Sequence, residues 1–233
     1  MTAAEPTGRV LVVDDDLTVS DVVRRYLERA GHQVALAATG EDALRWIAEN
    51  EPDLVVLDLM LPGIDGLEVC GRLRERGAVP VVMLTALGEE ENRIAGLQLG
   101  ADDYVTKPFS PRELVLRVNS VLRRAKAPAP PSARRLADGD LRLDASARKA
   151  TLGGAELSLT GREFDLLEFL MSHPGEAFTR TQLLERVWGW DFGDQSTVTV
   201  HVRRLREKIE LVPAKPARIC TVWGVGYRYD RSV

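Results

Sequence analysis

The chain has 233 residues, 45% of them hydrophobic, with a formal net charge of -4. That length allows one large core or two small ones, no apolar run is long enough to span a bilayer, and the start MTAAEPTG lacks the basic and apolar regions of a secretory signal; a cytoplasmic protein without membrane contact is expected. Residues 1–125 hold 14 Lys+Arg against 21 Asp+Glu and the remainder 17 against 14, so an acidic front half precedes a basic back half, a division that points to a signal-handling part and a nucleic-acid-binding part.

The first element is the apolar run Val10 to Val13, which ends in Asp14-Asp15-Asp16. Further strand-like runs cover Gln33 to Ala37, Leu54 to Leu57, Val81 to Leu84 and Asp103 to Thr106. Between them lie amphipathic stretches. Val19, Val22, Val23, Tyr26, Leu27 and Ala30 recur at helical spacing and predict one apolar stripe, with similar stripes near 41–49, 66–76, 90–99 and 112–124. The runs LVVL and VVML are apolar on both faces, as a parallel sheet covered on both sides requires. The alternation predicts a doubly wound, flavodoxin-like α/β domain, in which ligands sit beyond the carboxyl ends of the strands. That edge gathers Asp14, Asp15, Asp58, Thr85 and Lys107. Carboxylates crowded there would repel one another unless a cation held them, and Mg²⁺, which favours oxygen ligands and tolerates bound phosphate, answers that need. Asp15 and Asp58 are expected as direct ligands, Asp14 through water, and the backbone carbonyl of Met60 as a further one.

Three prolines fall within 126–133, with no apolar period, and predict an extended linker over 125–135. Beyond it, Leu141–Leu143, Ala150–Leu152 and Glu156–Leu159 alternate about a Gly153-Gly154 turn and predict a small antiparallel sheet. Thr160-Gly-Arg-Glu163 and Thr179-Arg-Thr-Gln182 read as capping boxes opening two helices. A third helix is expected from Ser196 to Glu210, and a hairpin turning at Gly224-Val-Gly226 closes an α+β winged helix-turn-helix domain over 136–231. On the third helix, Val198, Val202, Leu205 and Ile209 are the expected buried row. Thr197, Val200, His201 and Arg204 are the expected base-reading face in a major groove, with Arg203, Arg206 and Arg228 on phosphates. Trp223 is read as a packing residue. Cys70 and Cys220 have no CxxC or Cys/His spacing and are read as reduced and inert.

The motifs VVDDD, VLDLMLPGIDG, MLTA and ADDYVTKPF, over roughly 9–124, resemble the receiver domain of bacterial two-component response regulators. LTGREFDLLEFL, TVTVHVRRLREKI and TVWGVGYRY resemble the winged-helix DNA-binding domain of the OmpR/PhoB subgroup. The resemblance implies that Asp58 accepts a phosphoryl group from a sensor histidine kinase, that Asp14 and Asp15 hold Mg²⁺, that Thr85 and Lys107 bind the phosphoryl group, and that Tyr104 moves with Thr85 as a switch. It also implies a cis Lys107-Pro108 peptide. The implied phosphorylated homodimer pairs Arg93 with Glu113, Asp103 with Arg117 and Asp102 with Arg124 across a two-fold axis. Promoter DNA is the implied target, with RNA polymerase a further partner, and the implied role is that of a regulator with no enzyme activity beyond its own phosphorylation and dephosphorylation. A phosphatase with a DxD nucleophile is the rival on this fold, but Leu59 and Met60 follow Asp58 and supply no second carboxylate. An output half that binds protein and reads no DNA is the second alternative.

Overall fold

The computed structural model describes residues 7–77, 79–86, 96, 99–125, 135–189 and 195–232. The chain divides into two compact units, Met1–Ala127 and Pro128–Val233.

The first unit contains β1 (Arg9–Val13), α1 (Leu17–Arg29), β2 (Gln33–Ala37), α2 (Gly40–Glu49), β3 (Leu54–Asp58), α3 (Gly66–Arg76), β4 (Val81–Ala86), β5 (Asp103–Lys107) and α4 (Pro111–Ala125). The helix expected over 90–99, and Arg93 with it, lies outside the described residues except for Gly96 and Leu99. The five strands form a parallel sheet in the order β2-β1-β3-β4-β5. Alternate residues serve opposite faces of the sheet. Val10, Val12, Leu54, Val56, Val82 and Leu84 join Val23 and Leu27 of α1 and Leu114, Val118 and Leu122 of α4 in one buried layer. Leu11, Val13, Val55, Leu57 and Met83 are buried as well, which leaves the strands apolar on both sides. Asp16 starts α1 by accepting the amides of Thr18 at 2.8 Å and Val19 at 3.2 Å, so the third aspartate of the DDD run is a cap.

In the second unit, β6 (Arg135–Asp138), β7 (Leu141–Asp144), β8 (Lys149–Leu152) and β9 (Ala155–Glu156) form an antiparallel sheet in sequence order. It is followed by α5 (Gly161–Ser172), β10 (Ala177–Thr179), α6 (Arg180–Leu183, continued by a wider π-helical turn at Leu184–Trp188), α7 (Ser196–Ile209), β11 (Ile219–Val222) and β12 (Gly226–Tyr229). Both expected capping boxes form, Thr160 with Glu163 and Thr179 with Gln182. Two strands, β6 and β10, were not expected from the sequence. β10 pairs with β12, so the terminal hairpin is part of a three-stranded sheet ordered β10-β12-β11. The core gathers Phe164, Leu167, Leu170, Leu183, Trp188, Val198, Val202, Leu205, Ile209, Ile219 and Tyr229.

Candidate functional site

Sheet order fixes the site in the first unit. The chain leaves β1 toward one neighbour and β3 toward the other, so the crevice at the carboxyl ends of β1 and β3 is where a ligand fits. Val13 is in register with Leu57, so the residues that follow, Asp14 and Asp58, lie side by side. Asp58 is in turn in register with Leu84, which brings Thr85 to the same edge. α3 approaches this edge closely: a Cβ on Gly66 would lie 2.1 Å from the carbonyl oxygen of Asp58, so only glycine fits there.

Asp14 and Asp58 are buried, at 1% and 4% exposure, while Asp15 is exposed. Lys107 Nζ donates to Asp14 Oδ2 at 2.8 Å and to Asp58 Oδ2 at 2.6 Å. Asp58 Oδ1 accepts the Met60 amide at 3.2 Å, and Asp14 Oδ1 accepts the Asp16 amide at 2.9 Å. Burial pushes the Asp58 carboxyl above the ordinary aspartate value, although Lys107 pulls the other way. Burial also opposes the charge of Lys107, but its hydrogen bonds to Asp14 and Asp58 outweigh that and raise its pKa. Carboxylate oxygens of Asp14, Asp15 and Asp58 lie within 4.8 Å of one another. Three carboxylates against one ammonium leave a negative excess that a divalent cation matches in charge, and the all-oxygen donor set suits Mg²⁺. The Lys107-Pro108 peptide is cis, as expected. Thr85 is buried beside the pocket, and Tyr104, in register with Met83 on the neighbouring strand, is also buried at 6% exposure.

Of the residues expected at a dimer interface, Asp102, Asp103, Glu113 and Arg117 are engaged within the chain. Asp102 is 3% exposed; it accepts the Val81 amide at 2.9 Å and Arg74 at 3.2 Å, while Arg74 also binds the carbonyls of Val79 and Gly100. Asp102 thus ties α3 to the turn before β5, and this corrects its reading as a surface charge awaiting Arg124, whose side chain is outside the described residues. Arg117, 5% exposed, pairs with Asp103 at 2.8 Å and with Glu113 at 2.8 Å inside one chain.

In the second unit the expected base-reading face needs correction. Thr197, Val200, His201 and Arg204 are all buried, His201 at 0% exposure. α7 is covered on two sides, and the second contact surface was hidden in polar residues. The His201 ring stands edge-on to Trp188 with centroids 5.1 Å apart, and its Nδ1 is 2.8 Å from the Thr197 carbonyl. Arg204 meets the fully buried Glu163 of α5 at 2.9 Å, and Lys208 reaches the same carboxylate at 2.7 Å. The exposed positions of α7 are Thr199, Arg203 and Glu207, with Ser196 and Arg206 half-buried. Arg203 pairs with Glu207 at 3.1 Å. Arg206 holds the Ile219 carbonyl and the Thr221 hydroxyl of β11. Arg228 forms a two-point pair with Asp230 at 2.6 and 2.8 Å.

Arg180 was missed. It bonds Thr199 Oγ1 at 3.2 Å and lies over the Tyr227 ring at 5.0 Å, while Arg206 lies 5.6 Å from the same ring. Its signal was available, since the Thr179 capping box places Arg180 at the first helical position. Trp223 is a further correction: it is 91% exposed in the turn between β11 and β12 and so is not a core packing residue. Arg203 lies on the exposed row of α7 and Arg180 and Arg206 share the Tyr227 ring, and guanidinium groups of this kind suit a polyanion.

Comparison with known proteins agrees with both halves. Residues 10–119 match the family described as "Response regulator receiver domain", and residues 154–229 match "Transcriptional regulatory protein, C terminal". The chain is 45% identical over 229 residues to the transcriptional regulatory protein ResD of Bacillus subtilis, covering 95% of each chain. It is 44% identical over 224 residues to the sensory transduction protein RegX3 of Mycolicibacterium smegmatis, covering 95% of this chain and 98% of that one. Among solved structures, the response regulator DrrB, a Thermotoga maritima OmpR/PhoB homologue, matches with TM-score 0.51 and 38% identity over 95% of this chain and 98% of its own.

Proposed function

The chain belongs to the two-component response regulators of the OmpR/PhoB type, a receiver domain followed by a winged-helix DNA-binding domain that regulates transcription, and from that premise we propose that phosphorylation of Asp58 by a sensor histidine kinase drives dimerisation and promoter binding. One observation carries the assignment: Lys107 bridges the buried Asp14 and Asp58 carboxylates at the sheet's switch point. In the proposed transfer, an Asp58 carboxylate oxygen attacks phosphorus, the P–O bond forms as the kinase's P–N bond breaks, and the imidazole leaves. Lys107, already within hydrogen-bond distance of Asp58 Oδ2, faces the new charge, and the Thr85 hydroxyl offers a donor at the same edge. Mg²⁺, held by Asp14, Asp15, Asp58 and the Met60 carbonyl, would add charge neutralisation. The proposed division is a receiver over 9–124, a linker over 125–135 and a DNA-binding domain over 136–231, in a cytoplasmic protein whose own phosphorylation and dephosphorylation are its only chemistry.

For the proposed dimer, Arg93 with Glu113, Asp103 with Arg117, and Arg124 supply charges that a two-fold interface would repeat; in the single chain Arg117 already holds Asp103 and Glu113. Sedimentation of the full chain with Mg²⁺ tests the coupling. Beryllofluoride, a phosphoryl mimic, is expected to convert the wild type to a dimer and to leave Asp58→Ala unchanged. A wild type whose mass does not respond to the mimic contradicts the coupling.

On the DNA side, Arg203 is the proposed phosphate contact on α7, since its side chain is 65% exposed and it pairs with Glu207, itself 51% exposed. Breaking that surface pair costs about 0–1 kcal/mol. Arg203→Ala is expected to weaken binding to duplex DNA and to lower the slope of log affinity against log salt by about one. An unchanged slope in a filter-binding salt series removes Arg203 from the interface. RNA polymerase is the proposed downstream partner.

A further inference from the structure

We infer that Ser20 is a positioning residue of the acidic pocket: its hydroxyl fixes the peptide between Asp14 and Asp15 and so aims the two carboxylates at a metal ion, an inference that rests on the Mg²⁺ reading of the pocket above. Ser20 lies in the first turn of α1 and is 2% exposed. Its Oγ donates to the Asp14 carbonyl at 3.1 Å, and its amide donates to the Asp16 carbonyl at 2.9 Å. These carbonyls belong to the residues on either side of Asp15. Asp15 itself is exposed, so its side chain is directed by its backbone and not by the packing of a core. One of the two peptide planes that meet at the Asp15 Cα carries the Asp14 carbonyl, which Ser20 Oγ holds. The other carries the Asp16 amide, which donates to Asp14 Oδ1 at 2.9 Å. Because each peptide unit is planar, holding both planes sets the Asp15 dihedrals and the direction of its Cα–Cβ bond. Asp14 is fixed by the same circuit, since its amide donates to the Ala37 carbonyl at 3.1 Å and its Oδ2 accepts Lys107 at 2.8 Å. Without the Ser20 hydroxyl, the Asp14 carbonyl is a buried acceptor that must turn to find a donor, and the peptide turns with it. Mg²⁺ demands near-ideal octahedral oxygens, whereas Ca²⁺ accepts more ligands at looser distances and angles. Misaimed carboxylates therefore penalise Mg²⁺ selectively.

The ratio of Mg²⁺ to Ca²⁺ affinity separates aiming from folding. The full chain is titrated calorimetrically with MgCl₂ and, separately, with CaCl₂, as wild type, Ser20→Ala and Ser20→Thr, at a temperature where far-ultraviolet circular dichroism shows each folded. Ser20→Ala is expected to bind Mg²⁺ about tenfold more weakly, the usual effect of deleting a hydrogen bond that orients a metal ligand, and to lose no more than about threefold for Ca²⁺. Ser20→Thr, which keeps the hydroxyl, should keep the wild-type ratio. Where Ser20→Ala does not fold, Ser20→Cys, close to serine in shape but a weak donor, replaces it with the same expectations. An equal loss for the two ions assigns Ser20 to the stability of the fold and overturns the aiming role. Unchanged Mg²⁺ affinity in a folded Ser20→Ala overturns it as well, and so does a folded Ser20→Thr whose ratio falls as far as that of Ser20→Ala. These results leave the metal reading of the pocket standing. A wild type that binds neither ion overturns that reading and the inference together.

Discussion

Replacing Lys107 by Met is expected to move two properties of the acidic pocket in opposite directions: Mg²⁺ binding tightens while phosphoryl transfer to Asp58 slows by roughly 10²-fold, the typical effect of deleting one charge-stabilising donor. The ammonium occupies the space between Asp14 and Asp58, 2.8 and 2.6 Å from their oxygens, and so competes for the carboxylates that a divalent cation needs. Removing it leaves the Asp14, Asp15 and Asp58 charges uncompensated and more attractive to a cation. The same change strips the transferred phosphoryl group of its nearest fixed positive charge. Calorimetric titration with Mg²⁺, paired with the rate of phosphorylation by acetyl phosphate, reads both. Parallel loss of metal binding and transfer would mean that Lys107 maintains the pocket's shape only.

Glu163→Ala is expected to destabilise the winged-helix unit by about 3–5 kcal/mol, the usual cost of removing one partner from a buried ion pair. Glu163 is fully buried and serves three purposes: it accepts the Thr160 amide in the capping box at 2.8 Å, and it pairs with Arg204 and Lys208 of α7. Its loss leaves the Arg204 guanidinium buried against α5 without that carboxylate. Burial acts to raise the Glu163 pKa, but Arg204 and Lys208 outweigh it, and the net direction is down. A carboxylate with a depressed folded pKa stabilises fully above the unfolded value of about 4.3, and that contribution is lost as pH falls through the lower folded value. Urea unfolding of the full chain, read by near-ultraviolet circular dichroism from neutral pH down to that range, should show a wild-type midpoint that falls with acid and a Glu163→Gln midpoint, lower at neutral pH, that falls less. Unfolding curves of Glu163→Ala that match wild type would contradict the hub role.

The receiver was legible in the sequence because each of its signals is local. Strand runs ending in Asp14, Asp58, Thr85 and Lys107 lie within a residue or two of the observed strand ends, and a parallel sheet of this order leaves one place for them to converge. The output unit was legible in its elements and not in the phase of its key helix. Arg204 and His201 look like solvent residues on a helical wheel, and only tertiary partners, Glu163 from α5 and Trp188 from the π-helical turn, explain their burial. Glu163 misled for a related reason: as a capping-box residue its sequence role was already complete. Trp223 erred the other way, since a large apolar side chain is expected inside and a hairpin tip has no inside. Asp102 looked like an exposed charge until Arg74, 28 positions earlier, supplied its partner. Short strands such as β6 and β10 are formed by pairing with distant segments and left no pattern of their own.

A phosphoryl group accepted on Asp58 in the pocket of Asp14, Asp15, Asp58 and Lys107 would be an acyl phosphate, which can be trapped chemically. The wild-type chain is incubated with Mg²⁺ and acetyl phosphate, reduced with borohydride to convert an acyl phosphate to homoserine, and mapped by peptide mass spectrometry. Homoserine at position 58, lost when Mg²⁺ is withheld, is the predicted result. Homoserine at another aspartate, or none under conditions where the chain is folded, would contradict the account.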